Sequence, residues 1–233
     1  MIKTMTASLA IALPVLVAAF VPGTALAQTA TTPGKGPNVA TDAVKPSELS
    51  PVKQLELSAT LAKLGRANKD PLQMIVAAQI LQSAGARYEA RKPSDADASA
   101  VVGPEKAESV TSLLEEAKAF SKNDKTIVAM ADDVKAAASK GRVGGGIVSL
   151  GQITGRTVHT REMTFKGGQF AEIGLIGIDT NNVKLEIFDQ GGHLICRDSD
   201  PAYCPFTPVW TGPFTVKVHN NGGGLAHYKL ETN

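Results

Sequence analysis

The sequence has few of the residues that mark nucleic-acid-binding, metal-binding or carbohydrate-stacking proteins. Its formal net charge is only +2 over 233 residues, which is no electrostatic footprint for a nucleic-acid partner, because that partner needs a clustered basic face. No Cys-x-x-Cys motif or histidine spacing around its two cysteines supports a zinc site. A single tryptophan, Trp210, leaves little material for an aromatic platform.

Catalytic sequence signatures are also missing. The chain has no Gly-x-Ser-x-Gly elbow, because Ser149 stands in Gly-Ile-Val-Ser-Leu-Gly, and it has no His-Glu-x-x-His motif. The glycine triplet 144–146 lacks the lysine of a phosphate-binding loop. We therefore expect a protein that is not an enzyme and that needs no cofactor.

The four histidines lie in or beside predicted strands, where exposed positions are expected rather than a site. His219 and His227 flank one turn and are placed to face each other across a hairpin. Two facing imidazoles offer two metal ligands, and no third ligand is evident in the sequence. The other two are His159 and His193.

Residues 1–27 have the three parts of a secretory signal peptide. Lys3 gives a positive start, an apolar run covers residues 7–21, and Ala25-Leu26-Ala27 forms a cleavage motif. The apolar run is too short for a stable membrane span, although an uncleaved anchor is the alternative. We expect cleavage before Gln28, no membrane span after it, and a location in the periplasm or outside the cell.

Composition and periodicity divide the rest of the chain into four parts. Residues 28–51 are rich in Thr, Ala, Pro and Gly, which predicts a disordered linker. Residues 52–141 have a period of 3.6 and predict a helical domain, and the glycine-rich residues 142–155 predict a hinge. Residues 156–233 have a period of two and predict an antiparallel β-sandwich. The fold class is therefore α+β, with two independently folded domains.

Apolar spacing and capping residues predict about four helices. The first covers about 52–66, and Leu57, Leu61 and Leu64 at i, i+4 and i+7 form its apolar stripe. The second begins with Asp70 as N-cap and Pro71 as the first helical residue, and it ends near Gly85. The remaining helix starts are near Pro104 and at Asn123 or Asp124, and the stop of the last helix is Gly141.

Seven strands are predicted between turns that contain Gly, Asn or Pro. Phe214, Val216 and Val218 alternate with polar residues, which indicates a sheet with one buried face. Short strands separated by frequent turn signals are typical of a sandwich or a barrel. The predicted strands are 158–165, 169–176, 183–188, 193–198, 208–210, 214–219 and 226–232.

Five stretches of this C-terminal part share their order and spacing with a known family: Thr164–Gly168, Val183–Asp189, Gly192–Ile195, Thr211–Asn220 and Tyr228–Asn233. Through them, residues from about 156 to the end resemble the bacterial pre-peptidase C-terminal domain. That domain is a jelly-roll-like β-sandwich appended to many secreted enzymes. The resemblance implies a jelly-roll-like fold and a role in secretion or in binding insoluble polymers, and it implies no activity.

Several residues near the end of the chain are candidates for a disulfide or a ligand site. Export makes a disulfide the default interpretation of Cys196 and Cys204. Carboxylates on successive loops are the ligands that calcium uses, although turn residues that cap their own backbone are the interpretation we favour. Trp210 is expected in the core, with a ligand-stacking surface as the alternative. The candidate calcium ligands are Asp189, Asp198 and Asp200.

Together these features predict an exported, non-catalytic binding or scaffolding protein of the bacterial envelope. The helical part is expected to bind a protein, and the sandwich to bind a protein or an extracellular polymer. The alternative is an accessory or inhibitory subunit of a secreted hydrolase. An enzyme with a novel site is a third hypothesis.

Overall fold

The computed structural model describes residues 36–41, 49–95, 100–103, 107–138, 145–179 and 182–233. The described helices are α1 (Pro51–Asn68), α2 (Pro71–Ala84), α3 (Val110–Phe120) and α4 (Lys125–Ala138). The described strands are β1 (Arg87–Tyr88), β2 (Ile147–Ile153), β3 (Val158–Phe165), β4 (Ala171–Gly177), β5 (Val183–Asp189), β6 (Leu194–Ser199), β7 (Ala202–Phe206), β8 (Gly212–Asn220) and β9 (Ala226–Thr232).

Some of the sequence predictions fall on other residues. The signal peptide with its cleavage motif, Pro104, Gly141 and Gly144 all lie outside the described residues. In the ranges that are described, no helix combines the length and the apolar character needed to cross a membrane.

The helix boundaries follow the capping residues. The Asp70 carboxylate accepts the backbone N–H groups of Leu72 and Gln73 at 2.9 and 3.3 Å, so the predicted start of α2 is confirmed. Asp124 caps α4 in the same way, and it was one of the two predicted caps. Helix α3 begins later than predicted, at Val110, because the Ser109 hydroxyl accepts the N–H of the third helical residue.

Of the apolar stripe predicted for α1, only Leu61 packs against the helical core. Leu57 and Leu64 are 41% and 48% exposed. The residues of α1 that are buried against α2 are small. The Ser58 hydroxyl donates to the Ala77 carbonyl, and a Cβ on Gly65 would lie 2.7 Å from the Met74 sulfur. Small residues let the two helices approach closely, so the leucines are left on the outer face.

The strands form the predicted antiparallel sandwich, and the α+β fold class is confirmed. One sheet has the order β1-β2-β9-β4-β7 and the other has the order β3-β8-β5-β6, with β1 added in parallel at the edge of β2. Strands β2 and β4 lie in the first sheet, and β3 and β5 lie in the second. Of the later strands, β7 and β9 join the first sheet, and β6 and β8 join the second. This is the strand order of an eight-stranded jelly roll.

The sandwich core has the predicted alternation. Phe214, Val216 and Val218 are fully buried, and Phe214 and Phe206 pack with their ring centroids 5.1 Å apart. Trp210, which was expected in this core, is half-buried and lies outside the cluster. The strand predicted over 208–210 is also misplaced, because the edge strand is β7, residues 202–206.

The predicted hinge over 142–155 is corrected, because residues 147–153 form strand β2. This strand pairs with β9 from Ile147 opposite Thr232 to Ile153 opposite Ala226. It is largely covered on both faces, by the sandwich core on one side and by helix α1 on the other. The sandwich therefore begins before residue 156. Independent folding of the helical part and the sandwich remains a prediction.

Part of the predicted disordered linker, 28–51, is also ordered. Asn38 is fully buried, and its side-chain oxygen accepts the N–H groups of Val209 and Trp210 at 2.9 and 3.0 Å. Its amide donates to the Trp210 carbonyl, and its backbone N–H donates to Asp189 at 2.8 Å. Residues 36–41 are thus attached to one end of the sandwich.

The predicted disulfide between Cys196 and Cys204 is confirmed, with a Cα–Cα separation of 5.9 Å. Cys196 is in β6 and Cys204 is in β7, which are edge strands of opposite sheets. The bond therefore joins the two sheets along one open side of the sandwich.

Removing this bond should weaken the sandwich. The double variant Cys196→Ser/Cys204→Ala is expected to lose roughly 2–3 kcal/mol of unfolding free energy, because a closed loop no longer restricts the unfolded chain. Urea denaturation followed by circular dichroism measures this loss, with the single variant Leu194→Ser at an exposed position of β6 as the control. An unchanged midpoint in the double variant would contradict the expectation.

Candidate functional site

A cleft separates the helices from the sheet that contains β2, β9 and β4. Only the first half of α1 is seated on this sheet, where Leu55 packs with Val148 and Leu150. The second half of α1, including Thr60 and Lys63, lines the cleft instead. The other helices are held mainly by α1 and by one another, around a core that contains Leu113 and Leu114 of α3.

The cleft has a volume of about 1630 Å³ and a largely apolar lining. Its floor and its roof are apolar side chains from the sheet and from the helices. Two of the exposed large apolar residues of the protein lie in its lining, Ile178 with 53% exposure and Met130 with 41%. The floor includes Val148, Leu150 and Ile176, and the roof includes Ile75 and Val134.

Charged residues of both signs lie at the edges of the cleft. The Asp200 carboxylate accepts the Gly177 N–H at 2.6 Å, and burial raises its pKa against the opposing attraction of Lys63. Lys229 lies 2.7 Å from Glu231. Arg66 donates to Glu116 and Glu108, and these bonds raise its pKa further above its ordinary value.

The three aspartates predicted as calcium candidates cap backbone groups. Asp189 accepts the N–H groups of Gly191 and His193, both at 2.9 Å. Burial raises its pKa, but these bonds and the one from Asn38 outweigh it and hold the pKa below its ordinary value. Asp198 accepts two N–H groups at 2.9 Å, and Asp200 accepts that of Gly177. Across the described ranges, no three His, Cys, Asp or Glu side chains are grouped as a metal site.

The predicted facing pair of histidines is wrong. His219 is in β8 and His227 is in β9, and these strands belong to different sheets. His219 contacts Glu186 of β5 at 2.9 Å, and His227 contacts Asp179, which follows β4, at 2.5 Å. The turn between β8 and β9 crosses the sandwich and does not close a hairpin.

His159 is not exposed as predicted, because it points into the sandwich, where it contacts the Tyr228 hydroxyl at 3.0 Å. Burial and the positive charge of Arg161 lower the pKa of His159. A neutral imidazole is therefore favoured there, in a structural role inside the sandwich.

Glu186 is the centre of a charged group on the outer face of the second sheet. Lys184, Arg197 and His219 contact its carboxylate at 2.8–2.9 Å. Burial raises the pKa of Glu186, but the contacts with Lys184, His219 and Arg197 outweigh this effect and lower it to about 2. The carboxylate is thus ionised and held in a structural ion-pair network.

The sequence analysis missed a buried acidic pair at the start of α1. Glu172 of β4 and Glu231 of β9 are both fully buried under that helix. The signal was available in the sequence Ala-Glu-Ile-Gly-Leu-Ile-Gly, where one glutamate interrupts an apolar strand. A charged residue in such a strand needs a partner, and that partner came from helix α1, which the strand pattern does not reveal.

No protein-family model and no curated protein matches this chain. A solved structure of PliG from Aeromonas hydrophila, a periplasmic inhibitor of g-type lysozyme, is 15% identical over 38% of this chain and 84% of its own, with a TM-score of 0.34. The mitogen YPM from Yersinia pseudotuberculosis is 16% identical over 39% of this chain and 86% of its own, with a TM-score of 0.33. These values support no conclusion about function.

Proposed function

We propose that this chain is an exported, non-catalytic binding protein of the bacterial envelope, and that the cleft binds a polypeptide segment of a protein partner. The observation that carries the proposal is the cleft of about 1630 Å³, with its apolar floor and roof. Pockets for small molecules usually measure about 300–1,000 Å³. The larger volume here fits a segment of a protein chain.

The lining of the cleft favours the same kind of partner. An apolar centre with a charged rim is the usual arrangement of a protein–protein interface. Ile178, just after β4, and Met130, on α4, are both exposed and both line the cleft. Exposed apolar side chains that share one cavity are stabilised by a partner that covers them.

Two titratable groups of the cleft, Arg66 and Asp200, favour binding over catalysis. A general acid or base must be free to reach a substrate within hydrogen-bond distance. Arg66 is instead held in an ion pair with Glu116, and the Asp200 carboxylate accepts the Gly177 N–H. These contacts support a role in binding.

The disulfide between Cys196 and Cys204 supports a location in the periplasm or outside the cell, because such bonds persist in oxidising compartments. The signal-like N-terminus agrees with this location. An accessory or inhibitory subunit of a secreted hydrolase is a narrower form of the same proposal, in which the hydrolase occupies the cleft. The resemblance to pre-peptidase C-terminal domains favours it, and an extracellular polymer remains a second partner for the sandwich.

Affinity purification with matched variants tests the proposal. Ile178→Asp places a charge in the cleft, and Leu225→Asp places the same charge at a position that is 57% exposed and outside the lining. We expect Ile178→Asp to lower recovery of the periplasmic partner about tenfold, as loss of an apolar anchor does, and Leu225→Asp to leave it unchanged. Equal recovery with both variants, at equal thermal stability, would contradict the proposal.

A further inference from the structure

The start of α1 packs on the sheet over two buried carboxylates, Glu172 and Glu231, and we call this contact the seat of α1. The two carboxylates differ in the number of hydrogen bonds they accept. Glu172 accepts hydrogen bonds from the Ser50 hydroxyl at 2.5 Å and the Tyr203 hydroxyl at 2.8 Å. It also accepts the N–H of Val52 in the first turn of α1, at 3.3 Å. The donors to Glu172 thus attach the start of the helix to the sheet.

Glu231 has no such donors. Among the described residues, neither of its carboxylate oxygens accepts a hydrogen bond, although both are buried. The Lys229 ammonium lies 2.7 Å from one oxygen, close enough for an ion pair but without hydrogen-bond alignment. A buried carboxylate that lacks donors is costly in its ionised form.

The charged neighbours of Glu231 come from every element packed around it. Burial raises its pKa, and the negative charges of Glu56 on α1 and Glu172 on β4 raise it further, while Lys229 on β9 lowers it. On the far side, Tyr203 of β7 donates to Glu172, and burial together with this bond raises its pKa to about 12. Above the ring lies Lys53, which is paired with Glu56 at 2.6 Å.

There is little space for water beside Glu231 while α1 is seated. Gly174 lies opposite Glu231 in the sheet, and a Cβ on this glycine would lie 3.2 Å from a Glu231 oxygen and 2.7 Å from the Val52 side chain. Val52 is itself fully buried. Hydration of an ionised Glu231 therefore requires the first turns of α1 to move away from the sheet.

We propose that the seat of α1 is a proton-controlled latch of the cleft, in which neutral Glu231 holds the helix against the sheet and ionised Glu231 loosens it. Because α1 forms one wall of the cleft, loosening changes access to that site. The regulatory meaning of the latch rests on the proposed function. The latch itself depends only on Glu231 and its neighbours.

The direction of the effect follows from linkage. Because the pKa of Glu231 is raised in the folded protein, its contribution to stability is full below the unfolded value, about 4.3. That contribution is lost as the pH rises towards the folded value. Opening of α1 should therefore become more frequent as the pH rises from about 4.5 to 8.

Hydrogen exchange of the full chain tests the latch. After correction for the intrinsic pH dependence of exchange, the opening constant of the α1 amides should rise about tenfold or more from pH 4.5 to 8. Glu231→Gln should remove this rise, because its side chain does not ionise. Glu115→Gln, at an exposed site of α3, should retain it, and amides of β5 and β8 should show no such rise.

A Glu231→Gln protein that keeps the wild-type pH dependence would overturn the proposal, and so would a wild-type α1 whose opening constant does not change with pH. Either result leaves the binding proposal untouched, since that proposal is tested by Ile178→Asp and Leu225→Asp. Loss of partner recovery would in turn leave the exchange result standing. The two proposals can therefore fail separately.

Discussion

A fragment of residues 156–233 is expected to show no cooperative unfolding transition, whereas a fragment of residues 145–233 should unfold cooperatively. The shorter fragment lacks β2, which pairs with β9 along its whole length. It also lacks Ile153, which is fully buried in the sandwich core. Without β2, strand β9 becomes an unprotected edge and the core below it is open to water.

Both fragments are expressed in an oxidising compartment, and urea denaturation followed by circular dichroism then distinguishes them. Both carry the same disulfide, so the comparison isolates the contribution of β2. A cooperative transition of the shorter fragment at the midpoint of the longer one would place the boundary at 156 after all. Failure of both fragments, with folding restored by residues 36–138, would show that the helices and the sandwich do not fold independently.

Asn38→Ala is expected to lower the unfolding free energy by about 3 kcal/mol, although Asn38 lies in a segment whose composition predicts disorder. Its side chain makes three hydrogen bonds with the backbone of Val209 and Trp210. An alanine leaves those part-buried backbone groups without their partners, and each such loss costs about 1 kcal/mol.

The measurement is again urea denaturation of the mature chain. Asn68→Ala is the matched control, because Asn68 is exposed at the end of α1. Its effect should stay within about 0.5 kcal/mol, as is usual for exposed positions. If Asn38→Ala behaves like this control, the hydrogen bonds of the Asn38 side chain do not contribute to the stability of the sandwich.

The features that the sequence predicted well depend on local chemistry. Asp70 followed by Pro71 fixes the start of α2 because the cap and the first helical residue are adjacent in the chain. The alternation of Phe214, Val216 and Val218 follows from the pleat of one strand that has one buried face. Each of these two features is determined by residues a few positions apart, so it can be predicted without knowledge of the tertiary structure.

The features that were missed depend on contacts between distant segments. Strand β2 is covered on both faces, so it shows no alternation, and the glycines beside it favour a hinge. Asn38 is ordered by residues 209 and 210, far along the chain. The exposed position of Leu57 and Leu64 follows from the close packing of α1 on α2, which apolar spacing does not reveal.

The candidate site was beyond sequence analysis for the same reason. The cleft arises because only the first half of α1 is seated on the sheet, and its walls come from helices and strands that are distant in sequence. The residues singled out in advance lie elsewhere: Asp189 and Asp198 lie towards the ends of β5 and β6, and Trp210 lies between β7 and β8. Asp200 is the exception, and its place at the cleft edge was not predicted.

Photo-crosslinking from inside the cleft tests the central claim most directly. A photoreactive amino acid at Ile178 or at Met130 samples the lining of the cleft, and one at Leu225 samples an exposed apolar position outside it. We predict that Ile178 and Met130 crosslink to the same periplasmic protein in living cells and that Leu225 does not. Crosslinks of equal yield from Leu225, or a partner that binds the protein but crosslinks from neither cleft position, would contradict the claim.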